Sequence, residues 1–275
     1  KEHLRHPAID WWRESAQRLL IEEGDQFIGA LLREEFASPL SAVRLLYAME
    51  SLGALQPGDV LIALNRAEAG IRVHGLRLGD RWIDSDEELR KKTLSMVDDP
   101  DPSVRLQLAM SLGESRRPEA VGALANLAIR YGDERWMDAA ILSSVSERSS
   151  ELLDELLRTQ DSNAKAKRLL RPLGRMLGVR NRSEEMGRLL VLLAGVSKKS
   201  DTISSVESVL SGFLAGLSNK QGKLELPEDA REAFQTLLGS DSPGVRAQML
   251  SLAGRWSLMD SPLVQTAFDQ AAADA

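Results

Sequence analysis

The chain has 275 residues, room for one elongated domain or two compact ones, and its 43% hydrophobic and 28% charged content is that of an ordinary folded protein. A formal net charge of −6 argues against general adhesion to nucleic acid, because phosphate attraction is the sequence-independent part of that binding. With no cysteine, disulfides, thiolate metal ligands, cysteine nucleophiles and covalent c-type haem attachment are excluded, and 4% aromatics favour helices packed through small and aliphatic side chains over β-sandwiches.

The first stretch, KEHLRHPAIDWW (1–12), lacks the apolar core of a signal peptide and runs straight into a helical pattern, so the sequence reads as a segment of a larger chain. No apolar run is long enough to cross a bilayer. From there an apolar residue followed by arginine recurs, as Trp12-Arg13, Val43-Arg44, Ile71-Arg72, Val104-Arg105 and Val245-Arg246, with Met137-Asp138 in an equivalent place. The successive intervals are 31, 28, 33 and 33 residues, and the last, 108 residues, holds three more units. VRLQLAMSLG (104–113) aligns with VRAQMLSLAG (245–254) and VRLLYAMESLG (43–53), and each continues with apolar residues one and two helical turns on. Pro39, Pro102 and Pro243 precede three of these helices, a residue suited to the first turn and damaging inside. Asp99, Asp101, Asp241 and Ser242 supply oxygens for the unpaired amides there.

A second set of helices is expected between them, over 25–36, 86–97, 118–131, 150–159 and 227–239, each with apolar residues three and four apart. The sum is about sixteen helices and no strand. An outer helix, a turn rich in Asp and Pro, then an inner helix opening on Val-Arg resembles the HEAT family. The unit is shorter than the usual HEAT length, and the Val-Arg mark is missing across 160–220. The expectation is an all-α, right-handed α-α superhelix of about eight antiparallel helix pairs, a single HEAT-like repeat domain over 1–275.

A two-helix unit cannot bury its apolar face alone, so its neighbours must stack in register. The valine of each pair is expected in the core. Arg13, Arg44, Arg72, Arg105 and Arg246 are expected to act as registry positions, reaching an aspartate of their own turn or of the next repeat. An anion-binding ladder of Arg44, Arg72, Arg105 and Arg246 on the concave surface is the functional alternative. His3, His6 and His74 have no partners that would complete a zinc or nucleophilic site, and the acidic stretches 98–101 and 83–88 lack EF-hand spacing. No catalytic residue, metal ligand or cofactor site is therefore expected. The tryptophans Trp11, Trp12, Trp82, Trp136 and Trp256 read as core residues. The best non-structural feature is AKAKRLLRPLGRMLGVRNR (164–182), seven cations and no acid. A helical wheel gathers Arg168, Arg171, Arg175 and Arg182 on one side as a partner-binding stripe, with bridges to Glu184, Glu185 and helix 151–155 as the plainer reading. Pro172 marks a helix start or kink within it.

WWRESAQRLL (11–20), VRLLYAMESLGAL (43–55), IRVHGLRLGD (71–80), DPSVRLQLAMSLGE (101–114) and ERWMDAAILSS (134–144) follow in an order similar to the helical-repeat portion of large bacterial haem-binding C-x-x-C-H proteins, also labelled membrane-bound dehydrogenases. The resemblance implies a parent exported beyond the cytoplasmic membrane, with a β-propeller-like region before the repeats and a cytochrome c-like domain after. No haem-attaching motif occurs here, so no ligand carries over. The expected function is a non-catalytic scaffold for protein partners or neighbouring domains, without nucleic acid and without membrane insertion. Two alternatives remain. One is a HEAT-like DNA glycosylase using Trp136, Asp138 and the basic helix; the other is a docking surface for an electron-transfer partner.

Overall fold

The computed structural model describes residues 42–159, 164–197, 202–217 and 226–256, with positions 262, 264 and 265. Among the described residues the chain is all-helical, with thirteen α-helices, two short 3-10 turns and no strand. The helix expected over 25–36 and the Trp12-Arg13 start lie outside the described residues, as do Trp11, His3 and His6. Contacts gather into two compact units, Lys1–Ala123 and Leu124–Ala275.

The first unit contains α1 (Ala42–Ser51), α2 (Pro57–Leu64), α3 (Ala69–Gly79), α4 (Glu87–Ser95) and α5 (Pro102–Leu112). The unit boundary falls within α6 (Pro118–Tyr131). Local chemistry sets the starts. Pro57 and Pro102 occupy first-turn positions where no amide is needed. The Asp86 carboxylate accepts from the Leu89 amide at 2.8 Å, and Asp101 accepts from the Ser103 amide at 2.8 Å. Helices two apart in sequence lie side by side: α1 on α3, α3 on α5, and α2 on α4, with α2 also against α3. Ile71, Val104, Leu108 and Leu112 are buried as their spacing predicts, whereas Val43 is only half-buried and Ala42 takes the core position beside it.

The second unit contains α7 (Met137–Ser144), α8 (Ser149–Arg158), α9 (Ala164–Arg180), α10 (Ser183–Val196), α11 (Ile203–Gly216), α12 (Glu228–Leu238) and α13 (Pro243–Arg255). The same alternation holds. α7, α9, α11 and α13 pack in succession, as do α8, α10 and α12, and α8–α9 and α12–α13 contacts join the rows. Phe213, Phe234 and Trp256 meet in the core, with ring centroids 6.2 and 6.4 Å from Trp256. Pro172 neither starts nor ends α9, which runs through it.

Where the Val-Arg mark is missing, glycine takes over. Gly174 and Gly178 of α9 face Gly212 and Gly216 of α11, so that the two backbones touch. A Cβ added at Gly174 or Gly178 would lie 2.3 or 2.2 Å from the carbonyl oxygens of Val209 or Phe213. One at Gly212 or Gly216 would lie 2.0 or 2.2 Å from those of Arg171 or Arg175. No side chain fits at such distances, so these two helices approach more closely than side-chain packing allows.

Candidate functional site

The registry arginines are used internally, and in a recurring way. Arg72 donates to the carbonyl of Arg66 at 2.9 Å, Arg105 to that of Asp99, and Arg246 to that of Ser240 at 2.5 Å. In each case the guanidinium returns to a carbonyl six residues back, in the turn that precedes its own helix. That ties the start of one helix to the end of the last, and satisfies carbonyls that a helix C-terminus leaves unpaired. Arg72 also grips both carboxylate oxygens of Asp99, at 2.8 and 2.7 Å, in the turn of the next Val-Arg helix. Hydrogen bonding to Asp99 holds the Arg72 guanidinium above its ordinary value against the opposing effect of burial. The expected bridge to an aspartate is thus present for Arg72, while Arg105 and Arg246 reach carbonyl oxygens. Arg44 is half-buried and also engaged, and Arg13 lies outside the described residues. With Arg72 and Arg105 at 8% and 7% exposure, the ladder is no open anion site.

The acidic stretches serve the same end. Asp99 accepts from the Asp101 amide, and Asp84 accepts from the Ser115 hydroxyl at 2.6 Å and the Arg116 amide at 2.9 Å, seating the start of α6. Among the described residues, no group of three or more histidine, aspartate or glutamate side chains is placed to hold a metal ion. His74 meets the Tyr47 hydroxyl through Nδ1 at 3.0 Å, and burial, then Arg77, lower its pKa. A cleft of about 360 Å³ in the second unit has Leu153, Leu177, Leu189 and Leu192 in its lining. Its rim charges close on neighbours, as Arg148–Glu151, Arg158–Asp154 and Arg188–Glu184, and Ser150 and Asp229 also contribute to the lining.

The basic stripe is different. Arg168, Arg171 and Arg175 all point to solvent from α9. Arg168 meets the Asp138 carboxylate loosely, at 3.5 Å. Arg171 and Arg175 have no hydrogen bond or ion pair among the described residues. Of the acids the sequence offers them, Glu185 is taken by Arg180 and Arg182, Glu184 by Arg188, Glu151 by Arg148 and Asp154 by Arg158. Arg182 does not belong to the stripe. The helix ends at Arg180, Asn181 adopts a left-handed φ of 49°, and Arg182 becomes the residue preceding α10. Asparagine tolerates that conformation, so the helix stops two residues short of Arg182. Arg182 instead pairs with Glu185 and Glu147, at 3.2 and 3.4 Å.

Trp136 also departs from expectation. It is 60% exposed, with φ of 68°, immediately before α7. The Arg135 guanidinium lies 5.3 Å from its ring centroid. Trp82 is half-buried beneath Arg81, and Trp256 alone of the described three is a core residue. The glycine seam under the stripe escaped the sequence reading, although the spacings Gly174-x₃-Gly178 and Gly212-x₃-Gly216 signal it. No model of a known protein family matches the chain, and no curated protein matches it. Among the described residues the stripe is a row of exposed cations, Arg168 loosely paired and Arg171 and Arg175 without an ion pair, carried on a helix held backbone to backbone against α11.

Proposed function

We propose that the chain is a non-catalytic scaffold, a right-handed α-α superhelix of HEAT-like helix pairs that spaces neighbouring domains and offers a face to protein partners. The observation that carries this reading is the return of Arg72, Arg105 and Arg246 to a carbonyl six residues back, together with side-by-side packing of helices two apart in each unit. Repeats that touch only their neighbours make extended surfaces suited to protein contacts. Charged pairs contribute little here, about 1 kcal/mol or less when exposed, so apolar stacking supplies most of the stability. By its resemblance, the parent is an exported haem-binding protein of the C-x-x-C-H kind, in which this segment carries no redox centre.

Small-angle scattering of the isolated chain tests the scaffold directly. An elongated, curved particle is expected, and a compact globule would overturn the reading. The parent context is tested separately by the coding sequence downstream, where a C-x-x-C-H motif is expected; its absence there would remove the haem-protein context and leave the scaffold untouched.

A further inference from the structure

Five of the six cations of α9 divide into two that are held and three that stand free of the turns at either end. Lys165 is held at the first turn by Asp133 at 2.8 Å and the Arg130 carbonyl at 3.0 Å. Arg180 is held at the last turn by Glu185, the Ser149 hydroxyl and the Ser146 carbonyl. Between them Arg168, Arg171 and Arg175 stand on one face at spacings of three and four residues, which places their like charges within mutual repulsion. Among the described residues Asp138 pairs with Arg168, at 3.5 Å, and Asp133 lies within electrostatic reach of the same guanidinium. Exposed positions on the flanking helices carry short side chains, Ala139 and Ser143 on α7, Ser204 and Ala215 on α11, so the arginines rise above their surroundings. Beneath them the glycine seam fixes α9 to α11 backbone to backbone.

Both ends of the row are apolar. Trp136 lies at the start of α7, where Asp138 reaches Arg168, and its indole is in solvent. A bulky residue with φ of 68° is strained by roughly 1–2 kcal/mol, and strain of this kind persists where the surroundings impose it and clusters at binding surfaces. Val179, one turn beyond Arg175, is 65% exposed. The row of arginines spans about 10 Å of helix axis, the reach of carboxylates at i, i+3 or i+4, and i+7 on a second helix. A chain of net charge −6 with one short cationic row has too few phosphate contacts for a nucleic-acid track.

We propose that the outer face of α9 docks an acidic helical segment of a partner protein, its carboxylates pairing with Arg168, Arg171 and Arg175 and its apolar ends resting on Trp136 and Val179. This deepens the scaffold reading by naming the class of partner. The probe is a fluorescein-labelled, alanine-based helical peptide of about 20 residues, with three glutamates in that register and a leucine beyond each end, titrated by anisotropy at low salt. The expected result is saturable binding weakened about tenfold or more in R171E/R175E, less in R171Q/R175Q, and by less than about twofold in R182E. W136G relieves the left-handed strain, so it should hold or raise the melting temperature while weakening the peptide. Equal binding of a peptide with the glutamates scattered round the wheel overturns the proposal. So does unchanged affinity in R171E/R175E, or tighter binding of a thymidine oligonucleotide than of the peptide. Scattering on the same samples separates the two readings: an elongated particle without peptide binding removes the docking site alone, and a globule removes the scaffold.

Discussion

At the scale of single residues, one carboxyl group stands out for its setting. Asp80 follows α3, and its Oδ1 is buried without a hydrogen-bond partner among the described residues. Burial pushes its pKa from the ordinary 3.8 to about 6, with Glu114 adding to the shift and Ser111 and Arg77 opposing it. The folded chain therefore binds this proton more tightly than the unfolded one. Its contribution to stability is full below pH 4 and is lost as pH rises through 6. Allowing for partial solvent screening, unfolding free energy should fall by about 1–2 kcal/mol from this group across that window. Urea denaturation at a series of pH values checks it. D80N should flatten the profile over that range, and an unchanged slope would refute the assignment.

At the scale of helices, the glycines divide by what surrounds them. Gly122, inside α6, has open space where a Cβ would go, so Gly122→Ala should stabilise by about 0.5–1 kcal/mol through loss of unfolded-state freedom. Gly212 faces the Arg171 carbonyl at a distance no methyl group can share, and Gly212→Ala must push α11 off α9, at a cost of about 3 kcal/mol or more. Thermal unfolding of the two variants should move in opposite directions. The helices α6, α8 and α12 lie within a residue of the 118–131, 150–159 and 227–239 expected from apolar spacing and flanking proline. Across 160–220 the spacing also yields helices, but their close contact joins residues some 38 positions apart, a relation that no local pattern contains. The Arg182 misplacement has a local cause, a single left-handed asparagine that ends the helix.

At the scale of the molecule, two units, each denser in its own contacts, imply separable responses to damage. Arg72→Ala strands the buried Asp99 carboxylate and two carbonyls in the first unit, a loss of about 3–5 kcal/mol. Gly212→Ala injures the second. Native-state hydrogen exchange should show the first variant lowering protection of amides 104–112 and the second that of 206–216, each sparing the other set. A uniform loss in both would mean that the chain unfolds as one cooperative body.

The helical class, the period and the core stripe were determined by the sequence alone, because apolar spacing, proline placement and capping oxygens act within a few residues of one another. Which arginines are buried and which remain free was decided only by tertiary structure. Arg72 and Arg105 look no different from Arg171 and Arg175 as letters, yet the first two are buried and return to carbonyls of the preceding turn, while the last two stand exposed with no ion pair among the described residues. A charge is satisfied or left open by what the fold brings within about 4 Å of it, and that distance is set by packing between helices, not by order along the chain.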